Sequence, residues 1–248
     1  MKKLTWITGV LVFLAVLLAA LGAVCGAVDQ MATDENFYSG MSRAAVAKYL
    51  GAQNDPQADA KVTEYIGLTD AEQAAFAMDI ASFMAGEKNA LPADLFNEKE
   101  QQHMIDVRNI TMAAGNMSRI YFYLAAALAI IAAWTGARLK KRALPKLIGV
   151  LSAVTLIMIV VTNVMNAISS GGFEALFVGM HEAMFTNNLW LMDPATDILI
   201  RMMPLPLFEQ ALLDGANLAL RMMIVVCVML IAVHAIVERM IRRHVTKS

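Results

Sequence analysis

Four long apolar runs dominate the pattern of hydrophobic and polar positions along this chain. A helix that crosses a membrane needs about 20 predominantly apolar residues. The runs that reach or approach this length are Leu4–Val28, Ile120–Ala137, Leu147–Ser169 and Met222–Val237. The pattern predicts an all-α membrane protein with four transmembrane helices and with extracytoplasmic helical segments after spans one and three.

The first run could also be read as a cleaved signal peptide, because it follows the basic pair Lys2 and Lys3. The apolar core of a signal peptide has about 7–15 residues, whereas Leu4–Val28 has 25 residues without a charge. A lipoprotein signal around Cys25 would need a small residue where Val24 stands. We therefore expect an uncleaved membrane anchor.

Composition narrows the class of protein further. Hydrophobic residues make up 58% of the 248 residues and charged residues 17%, against about 45–50% and about 25% in soluble domains. So much apolar surface excludes intrinsic disorder. Two cysteines, Cys25 and Cys227, both within apolar runs, exclude a disulfide scaffold, and a net charge of -1 argues against nucleic-acid binding.

Basic residues predict the orientation, because cytoplasmic loops of membrane proteins are enriched in lysine and arginine. The N-terminus, the short loop after span two and the C-terminal tail together hold 11 basic residues and one acidic residue. Segment 29–118 holds 14 acidic and 6 basic residues, and segment 170–220 holds 6 acidic residues and one basic residue. We expect both termini in the cytoplasm and both acidic segments outside the membrane.

The chain thus divides into eight predicted parts. Four of them are transmembrane helices, over residues 1–28, 119–138, 147–169 and 221–238. Outside the membrane lie an extracytoplasmic segment, 29–118, and an extracytoplasmic interfacial segment, 170–220. On the inner side lie a cytoplasmic loop, 139–146, and a cytoplasmic tail, 239–248.

Local signals predict helices in both extracytoplasmic segments. Thr69 followed by Glu72 is the pattern of a capping box at a helix start. Phe173, Phe177, His181 and Phe185 recur every four residues, which is typical of an amphipathic helix lying at a membrane surface. After it, residues 193–197 form a predicted turn into a short helix that Pro204 and Pro206 would end.

Two histidines in the outer segments are candidates for chemistry. His103 lies three residues before Asp106, so that on a helix the carboxylate could orient the imidazole; a solvated, incidental pair fits the spacing as well. His181 lies on the aromatic face of the predicted helix, where it needs a polar partner or reaches water. Trp190 fits an interfacial anchor or a ligand contact, and Asp193 and Asp197 fit turn caps.

The familiar motifs of nucleophilic and nucleotide chemistry are missing from the sequence. It contains no G-x-S-x-G, no P-loop, no H-E-x-x-H and no C-x-x-C pattern. Two histidines and a carboxylate could bind zinc, but no tight ligand spacing supports a metal site. We therefore predict neither metal nor cofactor.

Two stretches resemble a known family. The stretch from Phe96 to Arg108 and the stretch from Phe173 to Phe208, which begins F-E-A-L-F-V-G-M-H, are similar to signatures of the bacterial lipoprotein intramolecular transacylase family. The resemblance implies a four-span enzyme of the bacterial cell membrane that acts at the outer leaflet. It also implies an acyltransferase whose substrate is a diacylglyceryl-modified lipoprotein and which is surrounded by membrane lipid. We expect this enzyme to be a monomer.

The implied reaction moves the sn-2 acyl chain of the lipoprotein to the amine of its N-terminal cysteine, giving a lyso-form lipoprotein. The resemblance makes His103 and His181 the catalytic residues, one as base and the other as ester polariser or acid. His103, oriented by Asp106, is the first choice for the base, and the two roles could be exchanged. Candidates for substrate positioning or support are Arg108, Asn188, Trp190, Asp193 and Asp197.

Two other functions remain open on the residues alone. A non-enzymatic membrane protein could use its acidic outer segment to bind a partner or to sense envelope stress. A metal-dependent hydrolase could use His103, Asp106 and His181. Acyl-chain preference and the lipoproteins served do not follow from the sequence.

Overall fold

The computed structural model describes residues 2–139, 143–169 and 172–245. The predicted cytoplasmic loop 139–146, the predicted interfacial segment 170–220 and the predicted tail 239–248 therefore lie partly outside the described residues. The described part of the chain folds into ten helices and contains no strand, as the fold prediction requires. They are α1 (Lys2–Ala32), α2 (Glu35–Tyr38), α3 (Gly40–Tyr49), α4 (Ala58–Ile66), α5 (Asp70–Met84), α6 (Glu98–Gly136), α7 (Ala143–Ser169), α8 (Phe173–Met184), α9 (Ile198–Met202) and α10 (Leu205–Val245).

Four of these helices are long and apolar enough to cross a membrane. The qualifying ranges are Lys3–Ala32, Glu98–Gly136, Lys146–Val164 and Leu205–Ile241. The second and fourth extend well beyond the predicted spans, because α6 already begins at Glu98 and α10 at Leu205. Met203 and Pro204 separate α9 from α10, whereas Pro206 lies in the first turn of α10, where the missing amide hydrogen costs nothing.

The chain forms two compact units. Unit 1 comprises residues 1–27, 116–168 and 217–248, and unit 2 comprises residues 28–115 and 169–216. The apolar parts of the long helices belong to unit 1. The smaller helices α2–α5, α8 and α9 belong to unit 2, together with the polar beginnings of α6 and α10.

Small residues let the helices of unit 1 approach closely. Ala15, Ala19, Ala23 and Ala27 form a buried stripe along α1, as is common where helices pack in lipid. Two hydroxyl hydrogen bonds join α1 to α6: Thr8 Oγ1 donates to Thr135 Oγ1 at 2.9 Å, and Ser118 Oγ donates to the carbonyl oxygen of Gly22 at 2.8 Å.

Unit 2 has an apolar core of its own. Phe76 of α5 stacks on Phe96 at 4.5 Å between ring centroids, and both are fully buried together with Phe83, Ile66 and Met202. The predicted capping box is confirmed at the start of α5, where Thr69 and Glu72 bond each other's backbone amides. The core thus holds α2–α5 against α9 and the beginning of α6.

A glycine substitution tests the close packing in unit 1. A Cβ atom at Gly149 of α7 would overlap the carbonyl oxygen of Gly9 on α1. Gly149→Ala should therefore lower the free energy of unfolding by about 1–3 kcal/mol, measured by thermal unfolding of the detergent-solubilised protein. Gly179→Ala is the matched control, because a Cβ atom there meets nothing within 4 Å and alanine favours the helix by up to about 1 kcal/mol. Equal stability of the two variants would contradict the packing argument.

Candidate active site

The two candidate histidines come together in unit 2. His103 on α6 and His181 on α8 are 78 positions apart in the sequence. Their ring centroids lie 6.3 Å apart and their planes differ by 27°. Each residue is buried, with 7% and 8% of its surface exposed. Two imidazoles at this separation can contact the same small reacting group.

Helix α8 directs His181 inward. The predicted amphipathic helix is confirmed as Phe173–Met184, with Phe173 and His181 buried and with Leu176, Met180 and Met184 exposed. His181 Nδ1 lies 2.7 Å from the carbonyl oxygen of Phe177, one turn earlier. Because a carbonyl only accepts hydrogen bonds, Nδ1 carries the hydrogen, and the Nε2 of the neutral ring keeps its lone pair.

His103 is also held in its neutral form. The pKa of His103 is lowered to about 4, mainly by burial and next by the charge that His181 would carry; Asp106 opposes this shift and Lys99 adds to it. Burial also lowers the pKa of His181, although the hydrogen bond to the carbonyl oxygen of Phe177 acts in the opposite direction and raises it. Both rings are therefore uncharged at neutral pH, so that each has one donor and one acceptor nitrogen.

Aromatic side chains enclose the histidine pair. Phe185 lies beside both rings, with its centroid 5.1 Å from that of His103 and 5.5 Å from that of His181. Phe177 and Trp190 contact His181 at 4.1 Å and 5.1 Å, and Phe208 packs on Phe177 at 4.9 Å. This lining is suited to an apolar chain and excludes water from the rings.

The expected bond between Asp106 and His103 is not formed, and this detail of the sequence analysis is wrong. Asp106 instead accepts a hydrogen bond of 2.9 Å from Asn187 Nδ2 and a weak one of 3.4 Å from Gln102. Among the residues that the structure describes, the buried Nδ1 of His103 has no hydrogen-bond partner. Asp106 acts on the imidazole through its charge, and it connects α6 to the loop after α8.

The other supporting candidates differ in their positions. Arg108 faces Phe83, 4.4 Å from the ring centroid, and donates to the carbonyl oxygen of Lys88, so its contacts are with α5 and the following loop. The Asn188 side chain is exposed, and its neighbour Asn187 makes the bond to Asp106. Asp193 caps its turn by accepting from the amide of Ala195 at 2.9 Å.

Asp197 belongs to a buried network that fastens the starts of α6 and α9. Its carboxylate accepts from Lys99 Nζ at 3.1 Å, from Asn97 Nδ2 at 2.9 Å and from the amide of Asp193 at 2.8 Å. Glu100, 1% exposed, accepts from the amides of Asn97 at 2.9 Å and of Leu199 at 2.7 Å. Every oxygen of these two carboxylates is therefore hydrogen-bonded, as burial of charge requires.

Sequence analysis missed the members of this network other than Asp197. Asn97 followed by Glu100 has the spacing of a helix-start capping box, and that signal was available. The second bond of Glu100, to α9, pairs residues 99 positions apart and has no local signature. Phe177 and Phe185 were visible on the aromatic stripe, whereas the approach of Phe208 follows only from the fold.

The described residues contain no group of three histidine, cysteine, aspartate or glutamate side chains arranged to hold a metal ion. Cys25 and Cys227 are free thiols in unit 1, outside the histidine site.

A sequence profile described as lipoprotein intramolecular transacylase Lit matches residues 57–208. This match covers more than half of the chain and includes both histidines, Trp190 and Asp197. The chain belongs to the lipoprotein intramolecular transacylase family. It is accordingly an integral membrane acyltransferase, and the sequence prediction of the family and of the enzyme class is confirmed.

Solved structures of this transacylase family share the fold. The in meso structure of the membrane integral lipoprotein intramolecular transacylase from Bacillus cereus aligns over 98% of this chain and 100% of its own, with a TM-score of 0.61 and 16% identity. A variant of that protein with histidine replaced by arginine gives a TM-score of 0.53 at 15% identity, covering 98% and 94% of the two chains. No protein of curated function matches the chain significantly.

The low pKa of His103 predicts a loss of stability in acid. Below the unfolded pKa of about 6.5 the unfolded chain binds a proton at this residue, whereas the folded chain does so only near the lowered pKa of about 4. The free energy of unfolding should therefore fall between these pH values more steeply in the wild type than in His103→Gln. Thermal unfolding in detergent across pH 7 to 4 measures the difference, in which titrating groups remote from His103 cancel and its neighbour His181 does not. A difference that does not change with pH would contradict the assignment.

Proposed function

We propose that this enzyme moves the sn-2 acyl chain of a diacylglyceryl lipoprotein to the α-amine of the N-terminal cysteine, with His181 as general base and His103 as hydrogen-bond donor. The observation that carries the proposal is the pair of neutral imidazoles 6.3 Å apart inside an aromatic enclosure. The attacking amine belongs to the substrate, so the enzyme needs no nucleophile of its own.

His181 is favoured as the base because its tautomer is fixed. The Nδ1–H bond to Phe177 leaves the lone pair on Nε2. His103 is favoured as the donor because its buried Nδ1 lacks a partner, and leaving a buried lone pair unpaired is more common in proteins than leaving an N–H group unpaired. With the hydrogen on Nε2, a neutral His103 can donate to an oxyanion. Of the two assignments open on the sequence, hydrogen bonding supports the exchanged one.

The proposed reaction conserves protons within the site. The amine nitrogen attacks the carbonyl carbon of the sn-2 ester while His181 Nε2 accepts the amine proton. His103 donates a hydrogen bond to the tetrahedral oxyanion. The carbon–oxygen ester bond then breaks, and His181 returns the proton to the departing glycerol oxygen. The products are an amide and a free glycerol hydroxyl, the lyso-form lipoprotein.

Substrate geometry supplies much of the rate in this proposal. Amine and ester are attached to the same cysteine, so holding both in the site replaces a bimolecular encounter by an oriented one. Phe177, Phe185 and Phe208 would line the path of the acyl chain, and the exposed Leu176, Met180 and Met184 of α8 would face membrane lipid. Asp106 would attract the ammonium form of the amine before it loses its proton.

Substitution of each histidine should distinguish base from donor. His181→Gln should reduce lyso-form product by roughly 10²–10⁴-fold because an amide cannot accept the proton. His103→Gln should keep more activity than His103→Ala, since its amide can still donate to the oxyanion, whereas loss of one such donor costs roughly 10²–10³-fold. The product is measured by mass spectrometry of lipoproteins in a host that lacks the activity.

Glu182→Gln, a change at an exposed neighbour of His181, serves as the control and should be fully active. Higher activity of His181→Gln than of His103→Gln would reverse the assignment. Full activity of all histidine variants would exclude both residues from the reaction and would overturn the proposed mechanism.

We further propose the topology with both termini in the cytoplasm, the eight predicted segments as its parts, and the histidine site at the outer leaflet. The support is the distribution of basic residues on the two sides. We also propose that the enzyme acts as a monomer, because both catalytic side chains and their enclosure come from one chain.

Cysteine labelling tests this orientation. A cysteine introduced at the exposed Asn54 should react with a membrane-impermeant maleimide in intact cells, whereas a cysteine at Lys247 should react only after permeabilisation. The parent chain is the matched control, since Cys25 and Cys227 lie in apolar helices. Labelling of the Lys247 position in intact cells would overturn the proposed topology.

A further inference from the structure

Lys99 lies between the two parts of the histidine site. It precedes His103 by one turn on α6, and its Nζ donates to Asp197 at 3.1 Å and to the carbonyl oxygen of Leu191. Leu191 directly follows Trp190, whose ring packs on His181 at 5.1 Å. One ammonium group therefore connects the helix that carries His103 to the loop that covers His181.

The surroundings of Lys99 are rigid. Asp197, with 3% of its side chain exposed, is also bonded by Asn97, Thr196 and the amide of Asp193. Glu100 bonds the start of α9 from the next position of α6. The partly exposed Lys99, with 36% of its side chain accessible, forms an ion pair with Asp197, whereas Glu100 is bonded by backbone amides.

The bond to Leu191 distinguishes Lys99 from a purely structural ion pair. Residues 186–190 between α8 and the turn at Asp193 contain no helix. Their other tie to α6 is the bond of Asn187 to Asp106. Without Lys99, the part of the loop that carries Trp190 would lose its hydrogen bond to α6.

We propose that Lys99 is a positioning residue of the acyl transfer: it holds the Trp190 loop against α6 and thereby fixes the position of the Trp190 ring on His181. This inference rests on the proposed roles of the two histidines. It goes beyond them, because Lys99 contacts neither ring and acts through the loop and through its charge.

The first test compares three variants by the rate of lyso-form production. Lys99→Met should lower the rate at least about 10-fold, since misplacement of a reacting group by 1 Å can cost about 10²-fold. Lys99→Arg keeps the charge and a donor and should restore most of the rate. Lys61→Met removes an exposed lysine paired with Asp55 and should leave the rate unchanged.

A double variant separates positioning from stability. Lys99→Met leaves the buried carboxylate of Asp197 without its cation, which should lower the stability of the folded protein. Adding Asp197→Asn removes that charge and should restore thermal stability, while the rate stays low because the bond to Leu191 is still missing. Recovery of the rate together with stability would show that Lys99 is only structural and would overturn the proposal.

Two further readouts report the position of the loop directly. In a Trp6→Phe, Trp134→Phe background, the emission of Trp190 should shift to longer wavelength in Lys99→Met as the indole leaves His181. The pKa of the His103 imidazole, followed by the NMR signals of its ring, should rise in Lys99→Met, because His103 is faced by Lys99 and Asp106 from α6 and by His181 from α8, and loss of Lys99 removes a charge that opposes protonation of the ring.

These readouts distinguish a failure of the positioning role of Lys99 from a failure of the proposed roles of the two histidines. The emission shift does not require the histidines to be catalytic, so it would persist if the proposed function failed. Unchanged emission and an unchanged pKa of His103 in Lys99→Met would overturn the positioning role while leaving the histidine mechanism intact.

Discussion

Desolvation of two adjacent imidazoles is the constraint on which the site depends. Surrounded by Phe177, Phe185 and Trp190, neither His103 nor His181 can bind a proton cheaply, and a second positive charge beside the first would be still less favourable. At neutral pH both rings are therefore uncharged, and adding a proton to one of them opposes adding a proton to the other. In the proposed reaction, a proton accepted from the substrate by one ring would be held only transiently, which would favour its prompt return to the leaving group. The bond from His181 to the Phe177 carbonyl then decides which nitrogen carries out the exchange.

The rest of unit 2 can be understood as the support of this pair. His103 is carried by the first turns of a long helix and His181 by a short one, and segments near each are joined by polar links of Asn187, Lys99 and Glu100. Buried carboxylates are costly unless fully bonded, and both Glu100 and Asp197 are. Displacing the segments that this network joins would break hydrogen bonds to buried carboxylates. The network therefore holds these segments in one register, whereas apolar packing alone would allow several registers.

Most of the fold could be predicted from the sequence because a membrane strongly restricts the backbone conformations that can cross it. Long apolar runs must be helical, and the basic residues between them suggest an orientation, so the four spanning helices and helix α8 with its aromatic stripe follow from periodicity. The extents of α6 and α10 did not follow, because polar residues at 98–118 end an apolar run without ending a helix. The pairing of His103 with His181 came from resemblance, not from spacing. The bond of Asp106 was misjudged for a related reason: helical spacing brought it near His103, while an asparagine 81 positions away was a better-placed donor.

The aromatic enclosure also bears on which acceptor takes the acyl group. An activated ester beside a general base is open to attack by water as well as by an amine, and the two outcomes differ only in which nucleophile reaches the carbonyl carbon. With less than a tenth of either histidine accessible, little solvent can reach the basic nitrogen, whereas a tethered amine arrives with its own ester. In the proposed reaction the rings of Phe177, Phe185 and Trp190 would thus make the difference between a transferase and a lipase.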